Sequence, residues 1–222
     1  MDLRTLLLFL ACILMSAMLY LYGFRFLKKK NNCLGWEWLI LASSAANFAF
    51  YWVTYSQASY DLMIFLDAFS RAFGIAPIAI IGMMAVTHQY KPSLRFDVSV
   101  YALGMLATAW MLSVDFMEPV LPYFLLIAYY VFAVYLLYFT RRLFAVGATA
   151  VAVHMSVAIA VTSVLHTMYD FYTIPGEETN IVFNFFFLAL LAWTYLFSMI
   201  YYGYIALERS NALQVDSAVS LN

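Results

Sequence analysis

Charge is what this chain has least of. Asp, Glu, Lys and Arg make up 10% of its 222 residues, while hydrophobic residues reach 66%. A soluble domain carries about 25% and about 45–50% of these classes. So few charges cannot clothe a water-facing surface, and lipid must be the solvent for much of the chain. The same scarcity excludes nucleic acid as a partner, because no basic patch is large enough. Cysteine is nearly absent. Cys12 lies inside an apolar stretch and Cys33 in a basic loop, at depths too different for a disulfide. The three histidines, His88, His154 and His166, fall at three depths, which argues against a compact zinc site. No lysine follows Lys91, so there is no deep late-helix lysine for a retinal Schiff base. A phosphate loop, a Gly-x-Ser-x-Gly elbow and a His-Glu-x-x-His pair are all missing. Without a nucleophile–base or ligand cluster, no catalytic residue, metal site or cofactor is assigned. The reading leans away from an enzyme.

What is present is a series of seven apolar stretches, at 5–26, 36–56, 62–88, 98–114, 122–140, 145–166 and 181–205. Each is near or above the roughly 20 residues that a helix needs to cross a bilayer, the fourth being the shortest. The runs are continuous rather than alternating, which favours helices over barrel strands. The expected fold is therefore all-α, a polytopic bundle of seven transmembrane helices over residues 1–207. Brief loops make neighbours antiparallel. Residues 208–222 are polar and read as a short disordered cytoplasmic tail. The first stretch is no typical cleavable signal: it is too long, lacks an Ala-x-Ala end and runs into Lys28, Lys29 and Lys30.

The basic residues sort by side. Arg25, Lys28–Lys30, Lys91, Arg95, Arg141, Arg142 and Arg209 fall on one face, Arg4 alone on the other, and Arg71 inside a span. The positive-inside rule makes the first face cytoplasmic, with the N-terminus outside. Asp61, Asp115, Glu118, Asp170, Glu177 and Glu178 lie in the outer loops. Tyr and Trp fall near both interfaces, Trp52, Tyr55, Tyr123, Tyr169 and Tyr172 outside and Tyr138, Tyr201, Tyr202 and Tyr204 inside, as aromatic belts do. Spans 1–3 and 5–7 run the same way and share a basic end on spans 1 and 5, without a residue repeat.

Polar residues within spans are the functional candidates. Asp67 and Arg71 stand four apart on span 3 and can pair on one helix face. A count back from His88 leaves two readings open, a buried functional pair or an interfacial structural one. Gly74 and Pro77 follow, and proline kinks a helix, here either as a hinge or as an inert bend. His154 lies mid-span between Ala150 and Ala158 and needs a hydrogen-bond partner. It can bond another helix, relay protons, ligate haem or touch substrate. It is expected to face the bundle interior, and His166, nearer water, to matter little. Ala148, Ala152, Ser156 and Ala160 recur at four-residue steps, a close-packing stripe. Asn47 and Asn184 either glue helices together or line a polar pocket in the outer half.

The opening Met1-Asp2-Leu3-Arg4-Thr5-Leu6-Leu7, the basic loop and Leu34-Gly35-Trp36-Glu37-Trp38 resemble the N-terminal membrane modules of bacterial diguanylate cyclases and sensor kinases. The resemblance covers the first two spans and carries no catalytic residue. In that family the bundle feeds a cytoplasmic output domain. The resemblance implies a stand-alone sensor, or a subunit signalling through a membrane or cytoplasmic partner or as a homo-oligomer. The leading expectation is thus a sensory or scaffolding module of a bacterial inner membrane that binds a small ligand or partner protein. The alternative is a small-solute transporter or channel subunit, with Asp67, Arg71, Pro77 and His154 along the path. The Pro-Gln pair of sugar-exporter-like seven-helix transporters is missing, which speaks against sugar.

The charge asymmetry generates one test. A cysteine at Ala212 should resist an impermeant thiol reagent in intact cells and react in inverted vesicles; labelling in intact cells would reverse the topology.

Overall fold

The structure is a computed structural model that describes residues 3–176, 180 and 184–220. Glu177, Glu178 and the expected start of the seventh stretch at 181–183 lie outside the described residues. Among the described residues the fold is all-helical, without strands. Seven long helices follow one another: α1 (Leu3–Lys28), α2 (Asn32–Thr54), α3 (Gln57–Thr87), α4 (Leu94–Leu112), α5 (Leu121–Ala145), α6 (Thr149–Tyr169) and α7 (Phe185–Ser220). A short 3₁₀ turn at Asp115–Met117 precedes α5.

Five of the seven, α1, α3, α5, α6 and α7, are long and apolar enough to cross a membrane, as an integral membrane protein requires. The other two are more polar. Helix α2 carries Glu37, Ser43, Ser44 and Asn47, and α4 is 19 residues long with Arg95 and Asp97 in its first turns. The outer surface is apolar all the same. Leu103, Leu106, Val134 and Val164 are 60–68% exposed, an arrangement that hydrocarbon tolerates and water does not.

Neighbouring contacts trace a ring. Helix α1 packs along α2, α2 against α3, α3 against α5, α5 against α6, α6 against α7, and α7 back against α1. Helix α4 stands outside the ring against α3 and buries only Asp97, Gly104, Thr108 and Met111. The tightest pair is α1–α2. There a side chain on Gly23 or Gly35 would run into Leu39 or Leu27 of the other helix, so both glycines permit a close backbone approach.

Polar bonds tie the basic end together. Asn31 caps α2 by accepting from the Leu34 N–H at 3.1 Å, and its amide donates to the Gly82 carbonyl at 2.8 Å and to Tyr204. Arg142 donates to the Thr87 carbonyl at 3.0 Å, satisfying an orphan acceptor at the end of α3. Lys29 pairs with Glu208, and Asn211 donates to the Val86 carbonyl at 2.8 Å. Helix α7 runs on past residue 208, where Glu208 and Asn211 find these partners just past α1 and on α3. Tyr201 and Tyr204 are buried at this end, packed on Phe26 at ring distances of 5.4 and 5.1 Å.

Helix α3 changes register at its middle. Residues Gln57–Phe69 are α-helical, Ser70–Ile78 are π-helical and Ala79–Thr87 are α-helical again, with the Ala79 N–H bonded to the Gly74 carbonyl. Pro77 sits in the π segment. It has no N–H to give to the ladder, so a stretch of wider turns accommodates it. The expected disturbance at Gly74–Pro77 therefore takes the form of a π segment. On its α2 side the fit is close. A Cβ on Gly74 would collide with the carboxyl group of Glu37, which is fully buried.

Gly74→Ala should accordingly lower stability by roughly 1–3 kcal/mol through overpacking. The same change should cost less in a Glu37→Ala background, because the colliding group is gone. Thermal midpoints of the two singles and the double in detergent measure this coupling, and strictly additive losses would disprove the contact.

Candidate functional site

One cavity dominates the ring. Its volume is about 200 Å³, and α1, α2, α3, α6 and α7 all contribute to its wall. Its wall is mostly apolar, aliphatic side chains with the rings of Phe48, Phe186, Trp193 and Phe197 among them, and Asp67, Ser70, Arg71 and His166 supply polar groups.

Helix α3 sets the charged wall because Asp67, Ser70, Arg71 and Gly74 follow at spacings of three and one and three, which keeps them on one face. Arg71 is only 12% exposed in its side chain. A guanidinium never loses its charge, so burial obliges it to find carboxylates. It finds two. Asp67 lies 3.5 Å from Nη1, as the i,i+4 spacing predicts. The main partner is Asp170, just past the end of α6, which Arg71 engages with both terminal nitrogens: Nη1 donates to Oδ1 at 3.2 Å and Nη2 donates to Oδ2. Such a fork is the strongest geometry available to the pair. Tyr169 adds its ring, 5.2 Å from the guanidinium carbon. The two open readings of Asp67–Arg71 thus resolve unevenly. Arg71 and Asp170 are partly buried, with side chains 12% and 17% exposed, while Asp67 remains 53% exposed along the cavity.

His166 is the second correction. It is 4% exposed and stacked on Tyr129 at 4.4 Å, with Trp193 edge-on at 5.9 Å. Its Nε2 lies 3.4 Å from the Leu125 carbonyl. A carbonyl only accepts, so Nε2 carries the hydrogen and Nδ1 of the neutral ring is an acceptor. His154, by contrast, points to the exposed perimeter and not to the interior. Its Nδ1 and Tyr195 on α7 share a hydrogen bond of 2.6 Å, so it does bond another helix. Twelve residues rotate a helix by about 120°, and the two histidines cannot share a face. The four-residue stripe drifts likewise. Ala152 is buried but Ala160 is exposed, and the packed face runs through Met155, Ala158, Ile159 and Thr162.

The asparagines are structural. Asn47 donates to the Ser59 carbonyl at 2.8 Å and Ser59 returns the bond to Asn47 Oδ1 at 2.8 Å, joining α2 to the start of α3. Asn184 precedes α7 and accepts from the Phe187 N–H at 2.7 Å; it caps the helix rather than lying along a path.

Sequence reasoning passed over Glu37 as a site residue. It is fully buried and neither carboxyl oxygen has a hydrogen-bond partner. Ser70, which lines the cavity, stands beside it, close enough for its hydroxyl to turn to the carboxyl. The intramembrane acid was visible in the sequence as the single charge of the second stretch, and its position alone marked it as a candidate. Asp170 carried no such mark, because it lay in a loop 99 residues from its partner.

Below the cavity the interior is closed. Phe197 meets Trp38 at 5.0 Å, Trp38 meets Phe26 at 5.6 Å, and Phe26 meets Tyr204 at 5.1 Å. This edge-to-face seam leads from the cavity floor to the basic end, and Trp38, Phe26 and Phe197 have at most 1% exposure. Among the described residues no three His, Cys, Asp or Glu side chains gather as a metal site would need. No family model, curated protein or solved structure matches the chain.

The geometry ranks the charges. Asp170→Asn should cost on the order of 3 kcal/mol, because it strips a buried guanidinium of its forked partner, whereas Asp67→Asn should cost much less. Among the histidines, His166→Leu should lower the thermal midpoint more than His154→Leu. Equal losses within either pair would contradict the burial described here.

Proposed function

We propose that this protein is a seven-span sensory or scaffolding module of a bacterial inner membrane, N-terminus outside and C-terminus cytoplasmic. It binds a small ligand in the cavity of its outer half and passes the occupied state to a membrane or cytoplasmic partner or to a second copy. The observation that carries this reading is the shape of the cavity. It has a few polar groups on an apolar wall that includes aromatic rings, the usual make-up of a ligand site, and it ends at the Phe197–Trp38–Phe26 seam rather than continuing to the basic end. A dead-end cavity suits a receptor better than a conduit. The likeness of the first two spans to sensor modules supports the same reading.

A transporter is the runner-up, and one feature favours it. The π segment of α3 borders both the cavity and the unpartnered Glu37, and interrupted helices with a buried acid are where transporters place their moving parts.

Cysteine at Ala189, on the cavity wall, separates the two readings. Cys12 and Cys33 are both buried and leave a quiet background. Labelling of Ala189→Cys by an impermeant maleimide should occur from the outside only. Labelling from the cytoplasmic side in inverted vesicles would demand alternating access and shift the case to transport.

A further inference from the structure

We propose that the cavity is built for a monocationic ligand with an apolar body, an aryl-alkyl or alkyl ammonium, whose charged head is received by Asp67. The proposal rests on the ligand-binding reading above and assigns the ligand class.

The charge count comes first. Two carboxyl groups, Asp67 and Asp170, face one guanidinium, so with both ionised they outnumber the cation by one. The surplus belongs to Asp67. Asp170 occupies both terminal nitrogens of Arg71, while Asp67 touches only Nη1 at 3.5 Å and keeps half its side-chain surface open. Because Arg71 is engaged in this way, its positive charge is already answered and does not invite an anion.

The hydrogen-bonding character of the wall agrees. His166 gives its Nε2 hydrogen to Leu125, which leaves Nδ1 as an acceptor on a ring that lines the cavity. Ser70, 3% exposed beside Glu37, adds a hydroxyl to the same wall. The Asp67 carboxyl and His166 Nδ1 are thus the acceptors that the cavity offers to an N–H-bearing cation.

The rest of the wall is apolar, and Phe48, Phe186, Trp193 and Phe197 place aromatic rings in it. Ring faces attract ammonium groups and bury the apolar part of the same molecule. A volume of about 200 Å³ exceeds the ~150 Å³ void that admits one benzene ring, which leaves room for a ring with a short ammonium arm.

Three probes of one shape test this on the full chain in detergent: phenethylammonium, 3-phenylpropionate and the neutral 3-phenylpropanol. Calorimetry and thermal-shift titrations should show saturable binding of the ammonium, at least tenfold tighter than either of the others. Asp67→Asn should weaken it tenfold or more and erase the preference. Ala189→Phe, which fills the cavity and leaves every charge in place, should abolish binding, and it keeps the test decisive if the Asp67 variant folds poorly. If the carboxylate or the alcohol binds as well as the ammonium, the ligand class is wrong and the cavity reading survives. If none of the three binds, the ligand-binding reading falls with it.

Discussion

A guanidinium that cannot shed its proton, held in a bundle that water does not enter freely, is the constraint on which the upper half of this molecule depends. Arg71 must be matched by carboxylate wherever α3 carries it. Its own helix supplies Asp67, and the end of α6 supplies Asp170, so the pair fixes the height of α6 against α3 on opposite walls of the cavity. Tyr169 is carried along and lies over the same guanidinium. His166, one turn earlier on α6, is thereby set into the wall between Tyr129 and Trp193. The cavity is the space left between helices that one ion pair holds at a set register.

The floor follows from a second close fit. Pro77 removes a donor from the ladder of α3, and the wider π turns answer that loss. Gly74, within them, leaves room for the Glu37 carboxyl of α2. Thus α3 meets two demands a few residues apart, the charge of its own Arg71 and the buried acid that α2 presents to it. Ser70 lies between them, touching the cavity on one side and Glu37 on the other.

The helical spans were legible because a run of apolar residues near bilayer length admits few other structures. The Asp67–Arg71 pair was legible because i,i+4 spacing is local. Asp170 was not, since nothing local links a loop acid to an arginine 99 residues before it. The histidines show a different limit. Depth along a helix could be counted, and both His154 and His166 were placed along their span. Rotational phase could not, because the small-residue stripe that seemed to define the packed face of α6 turns with the helix. The choice between interior and perimeter is made by which neighbours arrive, here Tyr129 and Trp193 for His166 and Tyr195 for His154. Glu208 and Asn211 are polar in composition, yet Lys29 and the Val86 carbonyl give them partners along α7 that no local pattern announces.

Helix α7 is what joins the two ends. Phe186, Trp193 and Phe197 belong to the cavity wall, and the same unbroken helix reaches Glu208 and Asn211 at the basic end. Trp193 and Glu208 are fifteen residues apart, about 22 Å along a straight helix. Over that length α7 is braced by α1 and α6 and by the aromatic seam at Phe197 and Tyr204, so it behaves as a strut rather than a tether. The side chains of α7 that line the cavity are therefore continuous, through one helix, with the Lys29–Glu208 and Asn211–Val86 contacts at the basic end.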